Sequence, residues 1–92
     1  MFRDLPPVIM YGRQRFCPDV ARSRLRLEEL GIPWQEFDIE QDEHARAVTL
    51  RLTGRTRVPT IVIGERVLVE PTNEELDAAL AAAGYAVDEV EA

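Results

Sequence analysis

Short apolar runs alternate with amphipathic segments along the first part of the chain. Val8–Tyr11 is a run of apolar residues between two prolines and a glycine, and this pattern predicts a buried strand. A turn over 12–16 follows. Pro18 suits the first position of a helix, because a proline leaves no N–H unpaired there. The helical pattern ends at Gly31, and its inward positions are Val20, Leu27 and Leu30.

The middle of the chain contains a second strand and a second helix. Apolar residues alternate imperfectly with polar ones over 34–39, which predicts a strand carrying Trp34, Phe37 and Ile39. Asp42 suits the N-cap of a helix, and Gly54 suits its end. The apolar residues of this helix that are expected to face the core are Ala45, Val48, Leu52 and Ala47.

A hairpin and a final helix complete the pattern. Two strands are predicted over Thr60–Ile63 and Arg66–Val69, with a tight turn at Gly64 between them. Pro71 ends the sheet, one of the next two residues caps the last helix, and the buried positions of that helix are Leu76 and Leu80. The order β-α-β-α-β-β-α predicts an α/β protein with a four-stranded mixed sheet flanked by three helices, which is a thioredoxin-like fold.

Length and composition narrow the class of protein. The 92 residues, 46% of them hydrophobic, predict one domain over 1–92, with a core at about 7–84 and a tail at about 85–92. No apolar run reaches the roughly 18 residues of a membrane helix, and the first residues do not form a signal peptide, so we expect a cytoplasmic protein without a membrane partner. One Cys and one His cannot form an internal disulfide or a zinc site, so no metal ligands are predicted.

The charge is distributed unevenly. A net charge of −6 argues against nucleic acid as a partner. Residues 1–26 contain six arginines and two acidic residues, and residues 51–66 contain four arginines and one acidic residue. The two other segments are acidic. The basic segments flank Cys17 and the Val58-Pro59 pair, so the fold could bring them together as a site for an anion. Chance clustering of solvated charges explains the same counts equally well.

Two stretches carry a family resemblance. VIMYGRQRFCPDVARSRLRLEELGIPWQEFDIEQD, followed by RVPTIVIGERVLVEPTNEEL, resembles the glutaredoxin family and, within it, the mycoredoxin-like bacterial branch. The resemblance implies a thiol-disulfide oxidoreductase with Cys17 as nucleophile. It also implies a cis peptide bond at Val58-Pro59, which leaves the Val58 main chain free to pair with a bound thiol peptide.

The position of Cys17 agrees with that role. A thiolate at a helix N-terminus faces unpaired N–H groups and the positive end of the helix dipole, which favour its ionised form. Arg13 and Arg15 would add to this effect if they point at the sulfur. A buried, inert cysteine is the alternative. The further candidates for substrate binding are Tyr11, Pro18, Arg57, Val58, Pro59, Thr72 and Asn73.

Two departures limit what the family implies. Val20 stands where a dithiol protein has its second cysteine, so an outside thiol must release the mixed disulfide, as in a monothiol cycle. The glycine pair that receives glutathione in many members is replaced by residues 69–73, where Thr72 and Asn73 either offer N–H groups to an anion or simply cap the helix.

These departures leave several points open. The small thiol is expected to be glutathione, mycothiol or a similar molecule acting as cosubstrate, with no tightly bound cofactor, on a protein disulfide or mixed disulfide. Iron–sulfur binding is a weaker reading, and we expect a monomer. A redox-inactive module that keeps the fold for binding is the alternative function. Whether Arg26 on the first helix is buried also stays open.

Overall fold

The structure is a computed structural model that describes residues 4–87. Seven elements follow one another in the predicted order: β1 (Val8–Gly12), α1 (Pro18–Leu30), β2 (Gln35–Asp38), α2 (Glu43–Thr53), β3 (Thr60–Ile63), β4 (Arg66–Val69) and α3 (Asn73–Ala83). The predicted tail lies outside the described residues from position 88 onward. Within the described part, no helix is long and apolar enough to cross a membrane.

The four strands form one mixed sheet in the order β2-β1-β3-β4. β1 runs parallel to β2 and antiparallel to β3, and β4 is antiparallel to β3. The thioredoxin-like α/β fold is therefore confirmed. This topology brings four chain segments to one end of the sheet, because Tyr11 pairs with Thr60, Gly12 with Asp38 and Thr60 with Val69.

Each face of the sheet has its own apolar cluster. The larger cluster lies on the face that carries Val8, Met10, Ile61 and Ile63, and it includes side chains from α1 and α3, among them Val20, Leu27, Leu76 and Leu80. The smaller cluster, on the α2 side, contains Tyr11, Ile39 and Ala45. Burial of the helix positions predicted at Val20, Leu27, Leu76 and Leu80 is therefore confirmed.

The inward face of α2 differs from the prediction. Ala45 is buried and Val48 packs against the α2-side cluster, as predicted, but Ala47 is exposed and Leu52 is 45% exposed. Thr49 is fully buried in their place, and its hydroxyl donates a hydrogen bond of 2.9 Å to the carbonyl oxygen of Ala45. A threonine whose hydroxyl donates to a carbonyl oxygen of its own helix can be buried in a core. A prediction that uses apolar residues alone therefore leaves Thr49 out of the buried face.

β2 spans four residues where six were predicted, and it lies at the edge of the sheet. Gln35, Glu36 and Phe37 are exposed, which explains the imperfect alternation of the sequence in this segment. Phe37 stacks on Tyr11 with ring centroids 5.7 Å apart. The indole N–H of Trp34 donates to Glu36 at 3.0 Å.

Arg26 joins two helices. Its side chain is only 11% exposed, and its Nε and NH2 donate to the two carboxylate oxygens of Asp77 on α3 at 2.8 and 2.7 Å. The two hydrogen bonds to a carboxylate offset the cost of removing the Arg26 guanidinium from water. The pair fixes α3 against α1, and α1 begins next to Cys17.

Candidate active site

Cys17 is the N-cap residue of α1, as the sequence predicts. Its backbone is extended, and its carbonyl oxygen accepts the N–H of Ala21 at 2.9 Å, so the helix begins directly after it. The Cys17 side chain makes no capping hydrogen bond, and Pro18 has no N–H. The first-turn amides therefore have no acceptor from this side chain, and the thiol lies at the positive end of the helix. Cys17 is 9% exposed.

The segment before β3 lies at the same end of the sheet as Cys17. The Val58–Pro59 peptide bond is cis, as the resemblance implies, and Val58 packs against the apolar cluster that contains Cys17. The Thr60 hydroxyl donates to the Arg57 carbonyl oxygen at 2.8 Å, and the Glu70 N–H donates to the Pro59 carbonyl oxygen at 2.8 Å. Among residues 4–87 no hydrogen bond involves the main-chain N–H or carbonyl oxygen of Val58.

Asp38 at the end of β2 fixes the loop that leads to Cys17. Its Oδ2 accepts the N–H of Gln14 at 2.9 Å, and its Oδ1 accepts the N–H of Glu40 at 2.8 Å. The hydrogen bond from Gln14 is the largest of the causes that lower the pKa of Asp38 below its usual range. The carboxylate is therefore ionised at neutral pH and ties the loop to the sheet.

Two glutamates hold the residues on either side of Gln14. Arg15 donates from Nε and NH2 to Glu40 at 2.9 and 2.6 Å, and its hydrogen bond is the largest cause that lowers the pKa of Glu40. Glu36 binds Arg24, whose NH2 also donates to the Arg13 carbonyl oxygen at 3.1 Å. We call Glu36, Asp38 and Glu40 together the acidic clamp.

The arginines near Cys17 are largely neutralised. The pKa of Arg15 is raised chiefly by its hydrogen bond to Glu40, while the Coulombic interaction with Cys17 is the smallest of the causes. The NH2 of Arg13 donates to the Phe16 carbonyl oxygen at 3.0 Å, and its NH1 lies 4.0 Å from Oε2 of Glu40. Both arginines thus bind the loop itself or the clamp. The anion site considered from the charge pattern is correspondingly weaker than the count of arginines suggests.

In the first turn of α1, an acidic side chain is also paired with an arginine. Asp19, whose negative charge opposes a thiolate, forms an ion pair of 2.9 Å with Arg22. The NH2 of Arg22 also donates to the Pro71 carbonyl oxygen at 3.3 Å, which brings the loop after β4 to α1. The loop after β4 is therefore part of the surroundings of Cys17.

Thr72 caps α3. Its N–H donates to Oε1 of Glu75 at 2.9 Å, and its Oγ1 accepts the N–H of Glu75 at 3.1 Å, which is a capping box. The N–H of Thr72 is therefore already paired, so capping accounts for this residue. Asn73 is the first residue of the helix, and its Oδ1 is buried without a hydrogen-bond partner in the described chain.

Tyr11 is buried, as the strand pattern predicts, and Phe16 is exposed. The Tyr11 ring belongs to the cluster on the α2 side, whereas Cys17 belongs to the cluster on the opposite face. The ring of Tyr11 therefore lies in the core, and its role in substrate binding stays a prediction. Phe16, which is not among the predicted site residues, is 77% exposed and directly precedes Cys17. An exposed aromatic side chain next to the thiol offers apolar contact to a partner.

Comparison with known proteins defines the class. The Glutaredoxin family model matches residues 8–68, so the chain belongs to the glutaredoxin family. No curated protein matches the chain. Residues 4–87 contain no group of three or more His, Cys, Asp or Glu side chains that could hold a metal ion.

Solved structures of glutaredoxins share the fold. The glutaredoxin of Archaeoglobus fulgidus is 24% identical, with a TM-score of 0.69 over 82% of this chain and 86% of that one. A glutaredoxin from Brucella melitensis is 30% identical, with a TM-score of 0.60 over 87% and 83%. A buckwheat glutaredoxin, solved in complex with glutathione, is 20% identical, with a TM-score of 0.66 over 89% and 83%.

Replacing Asp38 with alanine is expected to release the loop before Cys17. Without the carboxylate, the amides of Gln14 and Glu40 lose their acceptor and should exchange with solvent about tenfold faster, which hydrogen exchange monitored by NMR would detect. The folded pKa of Asp38 is lowered, so in the wild type this restraint is present above the ordinary value of 3.8 and is lost as pH falls through the folded pKa.

Asp38→Asn is the matched control, because its side-chain oxygen can still accept one N–H. It should protect the two amides more than alanine does. Equal exchange rates in the wild type and Asp38→Ala would contradict the clamp.

Proposed function

We propose that this glutaredoxin is a thiol-disulfide oxidoreductase that works by a monothiol mechanism, with Cys17 as its nucleophile. One observation carries the proposal: the single cysteine of the chain stands at the N-cap of α1, at the sheet end that also holds the cis Val58–Pro59 bond. Val20, at the position of a second cysteine in dithiol members, is fully buried. Release of a mixed disulfide at Cys17 then depends on an outside thiol.

The reaction is an exchange of disulfide bonds in two steps. The Cys17 thiolate attacks the small-thiol sulfur of a mixed disulfide, a bond forms between these sulfurs, and the substrate protein leaves as a thiolate that takes up a proton. A second small-thiol molecule, as its thiolate, then attacks the same small-thiol sulfur. The small disulfide leaves, and Cys17 returns to its thiolate. In the net reaction the mixed disulfide is reduced to the protein thiol, and one free small thiol is oxidised as it joins the small-thiol unit that the mixed disulfide carried.

The main chain of Val58 supplies the platform in this proposal. Its N–H and carbonyl can pair with the main chain of a bound thiol peptide, as an added strand would. Cys17 and Val58 are both anchored in the larger apolar cluster, and Pro59 is fixed through its carbonyl by Glu70. In the sequence, Pro18 directly follows Cys17 and Arg57 directly precedes Val58.

The cosubstrate in the proposal is a low-molecular-weight thiol such as glutathione or mycothiol. The family and the buckwheat complex with glutathione support a small thiol. The mycoredoxin-like branch is supported by Val69–Asn73 in place of a glycine pair. We place the chain in the cytoplasm as a monomer, where small thiols keep cysteines reduced. The protein substrate is a disulfide or mixed disulfide.

A redox-inactive binding module is the second candidate. The low exposure of Cys17 and the absence of a second cysteine favour it. Such a module would hold a peptide at the Val58 platform without exchange at sulfur. The two candidates differ in the reactivity of one atom, the Cys17 sulfur.

Alkylation of Cys17 as a function of pH tests the proposal. If Cys17 acts as a nucleophile, the folded protein should be alkylated faster than the denatured chain near pH 7. Iodoacetamide with mass spectrometry measures the rate, and all labelling reports on Cys17, since the chain has no other cysteine. Slower labelling of the folded protein at every pH would favour the binding module.

A further inference from the structure

Glu70 holds an unusual backbone conformation beside the platform. It follows β4 directly and has φ of +49°, the left-handed region that disfavours residues other than glycine. It is the one non-glycine residue with positive φ among the described positions. Its N–H is bonded to the Pro59 carbonyl oxygen, and the buried Pro71 follows it. A strained residue that is fixed on both sides indicates a use for its side chain.

The carboxylate of Glu70 is directed at Arg57. Its Oε1 lies 3.0 Å from NH1 of Arg57, and both side chains are partly exposed. Arg57 directly precedes Val58, so it is the nearest cation along the chain to the platform. Glu70 therefore cancels that charge where a substrate would lie.

An open cavity of about 420 Å³ lies next to this pair. It is lined by Thr53, Arg55, Arg57, Val69 and Glu70. Glu70 halves the positive charge that the two arginines would otherwise give the cavity. A carboxylate of a small thiol that enters here must compete with Glu70 for Arg57, whereas an uncharged or cationic thiol meets no such competitor.

We propose that Glu70 determines the charge preference of the site and selects against small thiols of net negative charge. This inference rests on the proposed exchange at Cys17. The small thiols processed best are then uncharged or cationic. Glu70 acts on selectivity through electrostatics and takes no part in bond making or breaking.

A competition for Cys17 tests this role. The protein is equilibrated with a glutathione redox buffer, as the anionic probe, mixed with a cysteamine redox buffer, as the cationic probe. Intact-mass spectrometry then gives the ratio of the two mixed disulfides on Cys17. Glu70→Gln keeps the shape of the side chain and removes its charge, and it should raise the glutathione-to-cysteamine ratio about twofold to fivefold. Added salt should reduce the difference.

Two variants separate charge selection from a structural effect. Arg57→Gln should move the ratio in the opposite direction, because it leaves the Glu70 carboxylate unpaired beside the platform. Glu65→Gln, in the exposed turn between β3 and β4 at the other end of the sheet, removes the same charge and should leave the ratio unchanged.

The outcomes distinguish this inference from the proposed function. Adducts that form in the wild type and in Glu70→Gln at the same ratio would overturn the role of Glu70 alone. Equal shifts in Glu70→Gln and Glu65→Gln would also overturn it, because the effect would then be one of net charge. No adduct on folded Cys17 with either probe would overturn the proposed function and this inference together.

Discussion

Cys17→Ser is expected to abolish the turnover of small-thiol mixed disulfides, with a loss of at least about 100-fold. A serine hydroxyl is not ionised near neutral pH and cannot exchange with a disulfide sulfur, and the chain has no other thiol. The assay follows release of a small thiol from a mixed-disulfide peptide, with an external thiol as reductant. The proposed function makes this the largest effect on activity of any substitution in the chain.

The fold should survive this change. Serine is close to cysteine in size, and the N-cap position prefers serine, because its hydroxyl can accept a first-turn N–H that the Cys17 side chain does not bond. Thermal unfolding followed by circular dichroism is the control. Retained turnover in a folded Cys17→Ser variant would end the proposed function, and capture of a peptide that survives the substitution would favour the binding module.

Local signals explain why most element boundaries could be predicted. Proline at the start of α1, Asp42 before α2 and glycine after each helix act on their immediate neighbours, and all three glycines have positive φ in the structure. The hairpin strands Thr60–Ile63 and Arg66–Val69 agree with the prediction residue for residue. Turns and helix caps depend on residues that are adjacent in the chain, so a single sequence is enough to predict them.

The surroundings of Cys17 could be predicted only in part. The cis bond and the helix start follow from the motifs, but the acidic clamp does not. Gln14 and Asp38 are 24 residues apart in the chain, and Arg15 and Glu40 are 25 apart. They meet because Gly12 pairs with Asp38 in the parallel β1–β2 ladder. Without that register, alternating acids at 36, 38 and 40 look like the solvated face of an edge strand.

The clamp changes the meaning of the uneven charge pattern. The acidic residues after α1 and the basic residues before and within it are not separate surfaces, because the fold pairs Arg15 with Glu40 and Arg24 with Glu36. Arginine pairs of this kind, partly exposed, contribute little stability individually. Together these ion pairs restrain the loop over 13–16. The charged residues of this region therefore fix the loop that leads to the thiol more than they attract an anion.

Val20→Cys is expected to convert the protein to a dithiol. Positions 17 and 20 are one helical turn apart, within the Cα separation that a disulfide spans, and both side chains belong to the same apolar cluster. Mild oxidation should then close an internal disulfide, seen as loss of free thiol and of two hydrogen atoms by intact mass. Turnover of protein disulfides should become independent of a small thiol for the release step.

Val20→Ser is the matched control, since it makes a similar loss of buried apolar volume without adding sulfur. It should lower the free energy of unfolding by about 1–3 kcal/mol, as a hydroxyl in an apolar cluster does, and leave release dependent on the small thiol. A folded Val20→Cys variant that forms no internal disulfide would contradict the placement of Cys17 at the helix start. Closure of the bond would instead show that a single side chain, Val20, separates this chain from a dithiol protein.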